Sequence, residues 1–379
     1  MSKQLSPRAA YVHVPFCAHR CGYCNFTLIA GRDDLIEAYV AALQRELSWL
    51  VEPRPVETLF IGGGTPTHLP PAALARLLGA VRRWFPLAER GEFSIEANPA
   101  GLDAERVDIL AEYGVTRMSL GAQSFDAEKL AVLERDHAPA DIARGVELGR
   151  KRLASVSLDL IFGAPGETLE IWRRDLESAL RLAPDHVSTY GLTYERGTTF
   201  WNRLGRGRLA RLDEELERAM YAEALDSLGA AGFEHYEVSN FARPGHRCRH
   251  NEVYWAAEEY YAAGPGAARY IAGRRETNHR STTTWLKRVL AGESPVAESE
   301  TLSPEDRARE ALVLGLRRME GVDRRQFAAG AGFEIDALVG PELSRFVELG
   351  LLCDAAGRVQ LTREGLFVSD AIWPAFLRR

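Results

Sequence analysis

Short apolar and β-branched runs alternate along the chain with longer stretches whose apolar positions recur at helical spacing. Runs at residues 10–14, 58–61, 93–96, 117–120, 156–161 and 186–190 read as strands. Stretches at 34–50, 71–85, 103–113, 140–153 and 169–182 read as the amphipathic helices between them. A sixth helix at 213–228 precedes a further candidate strand at 235–238. Strands apolar on both faces and separated by helices predict a parallel α/β sheet, either a barrel or a doubly wound sheet.

The polar residues choose between these. Each predicted strand ends in, or runs into, a chemically notable group: a cysteine loop, Gly62-Gly63-Gly64-Thr65, Glu96, Gln123, Asp159 and Thr193. Parallel barrels gather active groups from many strands at their C-terminal ends, whereas a flat sheet binds at one crevice. Six successive contributors predict a partial (β/α)6 TIM-like barrel. From about Ser303 the pattern changes to a helix at 305–318, two more within 332–349, a hairpin at 351–361 around Asp354-Ala-Ala-Gly357, and a final helix. That order reads as a small C-terminal helical, winged-helix-like domain. With a linker at Ala291-Gly-Glu-Ser-Pro295, the expected division is a core barrel over 1–240, an extension and linker over 241–295, and the C-terminal domain over 296–379.

Composition adds limits. The 379 residues are 46% apolar and 26% charged, ordinary for a chain with a good core, and the net charge is −6. Lys and Arg are dispersed, apart from Arg243-Pro-Gly-His-Arg-Cys-Arg-His250, so nucleic-acid binding is not expected and the C-terminal module reads as a packing unit. The start of the chain has no apolar signal core and no run approaches membrane-spanning length, which predicts a cytoplasmic protein.

Three of the five cysteines fall in Cys17-Ala-His-Arg-Cys21-Gly-Tyr23-Cys24. A tetrahedral zinc site wants four ligands, usually in two separated pairs. A [4Fe–4S] cube is normally held by four thiolates. Three local ones leave one iron open to a small molecule. In Gly62-Gly-Gly-Thr65-Pro66 the glycines allow close backbone approach and can present N–H groups. The spacing is not that of a phosphate-binding P-loop. Beside the cysteine loop it reads as a cradle for a ligand with amino and carboxylate groups.

Together these motifs resemble the radical S-adenosylmethionine (SAM) superfamily, in the branch that contains oxygen-independent coproporphyrinogen III dehydrogenase. The supporting strings are Tyr11-Val-His-Val-Pro-Phe16, Glu96-Ala-Asn-Pro99, Ser119-Leu-Gly-Ala-Gln-Ser-Phe125, Asp159-Leu-Ile-Phe-Gly-Ala-Pro-Gly166 and Ser239-Asn-Phe-Ala-Arg-Pro244. The resemblance implies that Cys17, Cys21 and Cys24 hold the cluster and that Tyr23 lies against the adenosyl group. It implies polar contacts to SAM from Tyr11 and Glu96, and a methionine end lined by Gly63, Gly64 and Thr65. Gln123, Arg135 and Asp159 match positions that bind a second SAM in the dehydrogenase.

Three features bear on the function within this branch. The dehydrogenases carry a fourth cysteine where this chain has Phe26. They also have an N-terminal extension over the active site, and only sixteen residues precede Cys17 here. Finally, His250-Asn-Glu-Val-Tyr254-Trp255 resembles the His-Asn-x-x-Tyr-Trp segment of HemW-type haem chaperones. The expectation is therefore a haem-binding chaperone that passes haem to acceptor haemoproteins, leaning away from an enzyme. The alternative is the oxygen-independent dehydrogenase. The resemblance implies His250 as a haem ligand, with Tyr254 and Trp255 packing the porphyrin face; His246, Cys248 and Arg249 lie close by. A membrane-protein acceptor met transiently and a homodimer both stay open.

Overall fold

The computed structural model describes residues 6–377. Residues 1–5, part of the start in which no signal core was read, lie outside them. Six parallel strands follow one another across the sheet in chain order: Ala9–Val14, Val56–Gly63, Leu87–Ala97, Arg117–Gln123, Ser155–Phe162 and His186–Gly191. Tyr261–Ala263 joins in parallel beside the first of these. At the other edge Asn240–Ala242 and Glu234–Glu237 add antiparallel. The nine-stranded sheet is thus open, with the partial barrel at its centre. The predicted strand at 235–238 is its outermost ribbon and not another parallel rung.

Between the parallel strands run the helices Ile36–Ser48, Pro71–Trp84, Ala104–Glu112, Pro139–Arg152 and Leu169–Arg181. Their starts are legible: Asp103 and Thr168 cap two of them through backbone N–H groups, and proline opens two others. Leu74, Leu77, Leu78 and Trp172 pack the helices onto the outer face of the sheet, in a core that includes Ile61 and Leu158. The inner face differs in kind. Ser94, Arg117, Ser157 and His186 are buried there, so the barrel interior is polar and its groups pair with one another.

The chain after the barrel returns to it. Glu46, buried on the first of these helices, accepts from Gly264 N–H, Asn278 Nδ2 and Trp285 Nε1, fastening the extension to the barrel wall. Ala268–Ile271, Arg274–Asn278 and Val296–Thr301 form an antiparallel sheet. Helices Pro304–Leu316, Arg324–Ala331 and Ile335–Glu348 then pack with the sheet Val322–Asp323, Arg358–Leu361, Leu352–Ala355 around a second apolar core containing Leu312, Val339 and Phe376. Among the described residues no helix is long and apolar enough to cross a membrane.

Candidate functional site

The cysteine loop leaves the first strand through Pro15 and is pinched at its base by parallel pairing of Phe16–Cys17 with Ile29–Ala30. Arg20 braces it from within, donating to Leu28 O at 2.6 Å, and Cys24 N–H closes a turn on Cys21 O. The loop therefore turns Cys17, Cys21 and Cys24 into one cavity of about 500 Å³ at the C-terminal end of the barrel. All three thiols are free. Burial pushes the Cys17 thiol up to about 11 and raises that of Cys24. Among the described residues no three His, Cys, Asp or Glu side chains form a single-ion site. Cys17 Sγ lies 3.4 Å from Thr65 Oγ1, and Arg135 Nη1 donates to Cys21 Sγ at 3.3 Å. The thiols are thus spread around the wall, a donor set that fits a multi-iron cluster, in which each thiolate takes its own iron.

The triple glycine is demanded by crowding. A Cβ at Gly62 would sit 2.8 Å from Glu96 Oε2, one at Gly64 would sit 2.6 Å from Phe16 O, and Gly63 holds φ at +115°. Close approach therefore holds, but the backbone donors are already used. Gly63 N–H donates to Glu96, Gly64 N–H to Val14 O and Thr65 N–H to Phe16 O. Donors for a ligand carboxylate must come from side chains instead.

Those side chains stand on the neighbouring strand ends. Gln123 ends its strand in the left-handed region at φ +65°, costly for a residue with a Cβ and concentrated at functional sites. Arg135 is held by Asn98 Oδ1 at 3.0 Å and Gly121 O at 3.1 Å. Asp159 accepts Ser119 Oγ on both oxygens at 3.0 Å, and burial raises its pKa. Glu96 is lifted to about 7, chiefly by burial and against the Gly63 hydrogen bond. Cys17, Cys21, Cys24, Tyr23, Gly63, Gly64, Thr65, Glu96, Gln123, Arg135 and Asp159 all line this one cavity. So do His19, Asn98, Ser119 and Tyr190, which the sequence did not single out as site residues. Asn98 and Ser119 lay inside the quoted motif strings, two residues from Glu96 and four from Gln123.

Comparison with known proteins adds the lineage. The Radical SAM superfamily model matches residues 11–179 and the HemN C-terminal domain model matches 302–368. The chain is 35% identical to the heme chaperone HemW of Bacillus subtilis over 98% of this chain and 99% of that protein. It is 32% identical to the Escherichia coli heme chaperone HemW over 99% of both. The chain belongs to the HemW family. A vertebrate relative, the mitochondrial radical S-adenosyl methionine domain-containing protein 1 of Danio rerio, is 33% identical over 97% of this chain and 86% of that protein. The solved structure of E. coli coproporphyrinogen III oxidase (HemN) superposes with a TM-score of 0.86 at 22% identity, covering 99% of this chain and 91% of that chain. That likeness shows the shared fold.

Two implied positions, Tyr11 as a SAM contact and His250 as a haem ligand, lie outside the cavity lining. Tyr11 stacks on Phe60 and pairs its hydroxyl with His13 Nδ1 at 2.9 Å. His250 sits in the short helix Arg249–Trp255, whose first amides are capped by the Glu92 carboxylate. Its imidazole is buried with Nδ1 at 3.0 Å from Thr58 Oγ1 and Nε2 at 2.9 Å from Tyr254 Oη. Both ring nitrogens are committed, and burial pulls the pKa down to about 3, so the ring is neutral. Cys248 is equally enclosed, its thiol against Glu92 and pushed up to about 12 by burial.

Proposed function

We propose that this protein is a haem chaperone, which binds haem and transfers it to acceptor haemoproteins while carrying a [4Fe–4S] cluster and SAM. The observation that carries this reading is end-to-end similarity to proteins named heme chaperone HemW, together with three free thiols on one cavity wall. Cys17, Cys21 and Cys24 would hold three irons, and the fourth would take the amino and carboxylate groups of SAM. With both bound, the cluster would supply an electron for cleavage of the sulfonium.

The chain's own residues divide the remaining tasks. Arg135 and Gln123 offer donors to carboxylate or ribose oxygens, and the Glu96 carboxylate accepts from an ammonium group or a ribose diol. Asp159 supplies a second acceptor deeper in the barrel. Tyr23 packs edge-on against Phe200 and leaves its ring on the cavity wall. Five unpaired cysteines suit a reducing compartment, which supports a cytoplasmic setting. His250 acting as haem ligand would require it to release Tyr254 or Thr58.

The test is anaerobic reconstitution followed by haem titration and transfer to an apo-haemoprotein. The reading expects a saturable Soret band and transfer. In the same preparation, SAM, reductant and coproporphyrinogen III should give no protoporphyrinogen IX. Formation of that product, or no haem binding, overturns the proposal.

A further inference from the structure

A second and larger cavity lies on the other side of the His250 helix, in the cleft between the extension and the C-terminal domain. It has a volume of about 1000 Å³, at the upper end of the roughly 300–1,000 Å³ of pockets that enclose small ligands. One wall is aromatic, with Tyr254, Trp255, Tyr260 and Tyr270. The facing wall is made of small and aliphatic side chains from helices Pro304–Leu316 and Arg324–Ala331, among them Ala311 and Leu314. A cleft of this size, with aromatic rings on one side and aliphatic side chains on the other, fits a large conjugated ligand.

Charge gives the slot a polarity. Its acidic groups are already engaged. Glu258 pairs with Arg8, Glu310 with Arg275, and Glu259 and Asp323 accept the backbone N–H groups of Ala272 and Gln326. The cations are not all engaged. Arg307 and Arg318 line the cleft, and neither makes a side-chain hydrogen bond or ion pair among the described residues. Arg318 Nε is buried without an acceptor, as is the neighbouring Trp255 Nε1. An unpaired, partly buried guanidinium is costly until an anion meets it. The two arginines are eleven residues apart in sequence, on the order of 15 Å along a helical path. They therefore mark opposite ends of the slot, and carboxylates on one edge of a ligand can meet only one of them.

We infer that this cleft is the seat of the tetrapyrrole, with the macrocycle between the Tyr254–Trp255 wall and helix Pro304–Leu316 and its propionate edge on Arg318. The inference rests on the haem-chaperone reading and deepens it, giving the ligand a cleft separate from the cysteine cavity. Tyr254 links the two findings: its hydroxyl bonds His250 while its ring faces the cleft. His250 thus stands behind the wall and orients Tyr254, and the C-terminal domain forms half of the binding site.

The test compares equilibrium binding of haem and of haem dimethyl ester, whose arms are uncharged, to the full-length protein and four variants. Arg318→Ala should weaken haem binding at least tenfold and abolish the preference for haem over the ester. Arg318→Lys should restore part of that preference. Arg307→Ala should change affinity less than threefold, and Ala311→Trp, which fills the slot, should block both ligands while cluster content and the thermal midpoint stay as in the wild type. If the wild type binds neither ligand, the chaperone reading itself fails. If the wild type binds haem and Arg318→Ala and Ala311→Trp bind it equally well, the cleft is excluded. Loss of the haem–ester preference in Arg307→Ala alone overturns the assignment of the propionate edge.

Discussion

The backbone N–H of Gly63 donates a 2.8 Å hydrogen bond to Glu96 Oε2, joining the glycine turn of one strand to the carboxylate at the end of the next. Burial nevertheless raises Glu96 from 4.5 to about 7, so at neutral pH the group stands near half ionisation. A cationic ligand binds the ionised form. SAM affinity should therefore rise with pH up to about 7 and level off above it. In Glu96→Gln the rise should vanish, measured by calorimetric titration of cluster-loaded protein. The stability effect has the opposite sign. A raised carboxyl binds its proton more tightly when folded, so stability is greatest below 4.5 and declines as pH climbs to about 7, by about 3 kcal/mol in all. A pH-independent SAM affinity in the wild type would show that Glu96 does not face the ligand's charge.

Gly64 carries a different constraint. A methyl group there meets the carbonyl of Phe16, a backbone atom that cannot rotate away. Gly64→Ala should displace the Phe16–Cys17 pairing that sets the cysteine loop, at a cost of about 1–3 kcal/mol. Iron content after reconstitution should fall well below that of wild type, while Gly101→Ala, where a Cβ meets nothing but φ is +74°, should lose stability without losing iron. Equal iron loading in the two variants would refute a role for Gly64 in shaping the loop.

Beneath the cavity, Lys129 Nζ bridges Glu167 and Asp175, and the three side chains are 2%, 0% and 1% exposed. Removing the one cation leaves two buried carboxylates with only neutral donors, Ser124 Oγ and Phe125 N–H on Asp175 and Ala164 N–H on Glu167. Lys129→Met should lower unfolding stability by roughly 3–5 kcal/mol, read from urea midpoints at pH 7, and partial rescue should follow at low pH as the carboxylates protonate. A loss below about 1 kcal/mol would mean that water reaches the triad.

The barrel was legible because each of the six central parallel strands is an apolar run with a reactive residue at or near its end, and nine of the positions lining the cavity needed only that rule and the cysteine spacing, whereas Tyr23 and Arg135 came from the family resemblance. What stayed hidden had no periodicity to announce it. Thr282–Ala291 opens with three threonines, which disfavour helix, yet Ser281 caps it and Trp285 buries against the barrel. Ala268–Ile271 and Arg274–Asn278 are half-exposed and charged, so neither alternates cleanly. Nothing in the helical stretch at 34–50 marks Glu46 as the anchor of the extension, because its partners come from more than 200 residues away. The commitment of the Gly63, Gly64 and Thr65 amides was likewise invisible, since their acceptors lie on other strands.

His250 offers the sharpest separation of a structural role from a ligating one. Both its nitrogens are bonded, to Thr58 and Tyr254, and burial lowers its pKa from 6.5 to about 3. The folded state thus excludes the proton that the unfolded chain accepts. Its contribution is fully present above 6.5 and is lost progressively as pH falls from 6.5 toward 3. One such proton steepens the stability profile by about 1.4 kcal/mol per pH unit, or roughly 2 kcal/mol between pH 6.5 and pH 5. His250→Gln should be less stable than wild type at pH 7 and should flatten this stretch of the profile by that amount, measured by urea unfolding at both pH values. If haem sits in the cleft behind Tyr254, the same variant should keep most of its haem affinity. An unchanged pH profile would mean that the imidazole is open to solvent, and a complete loss of haem at intact stability would return it to the role of ligand.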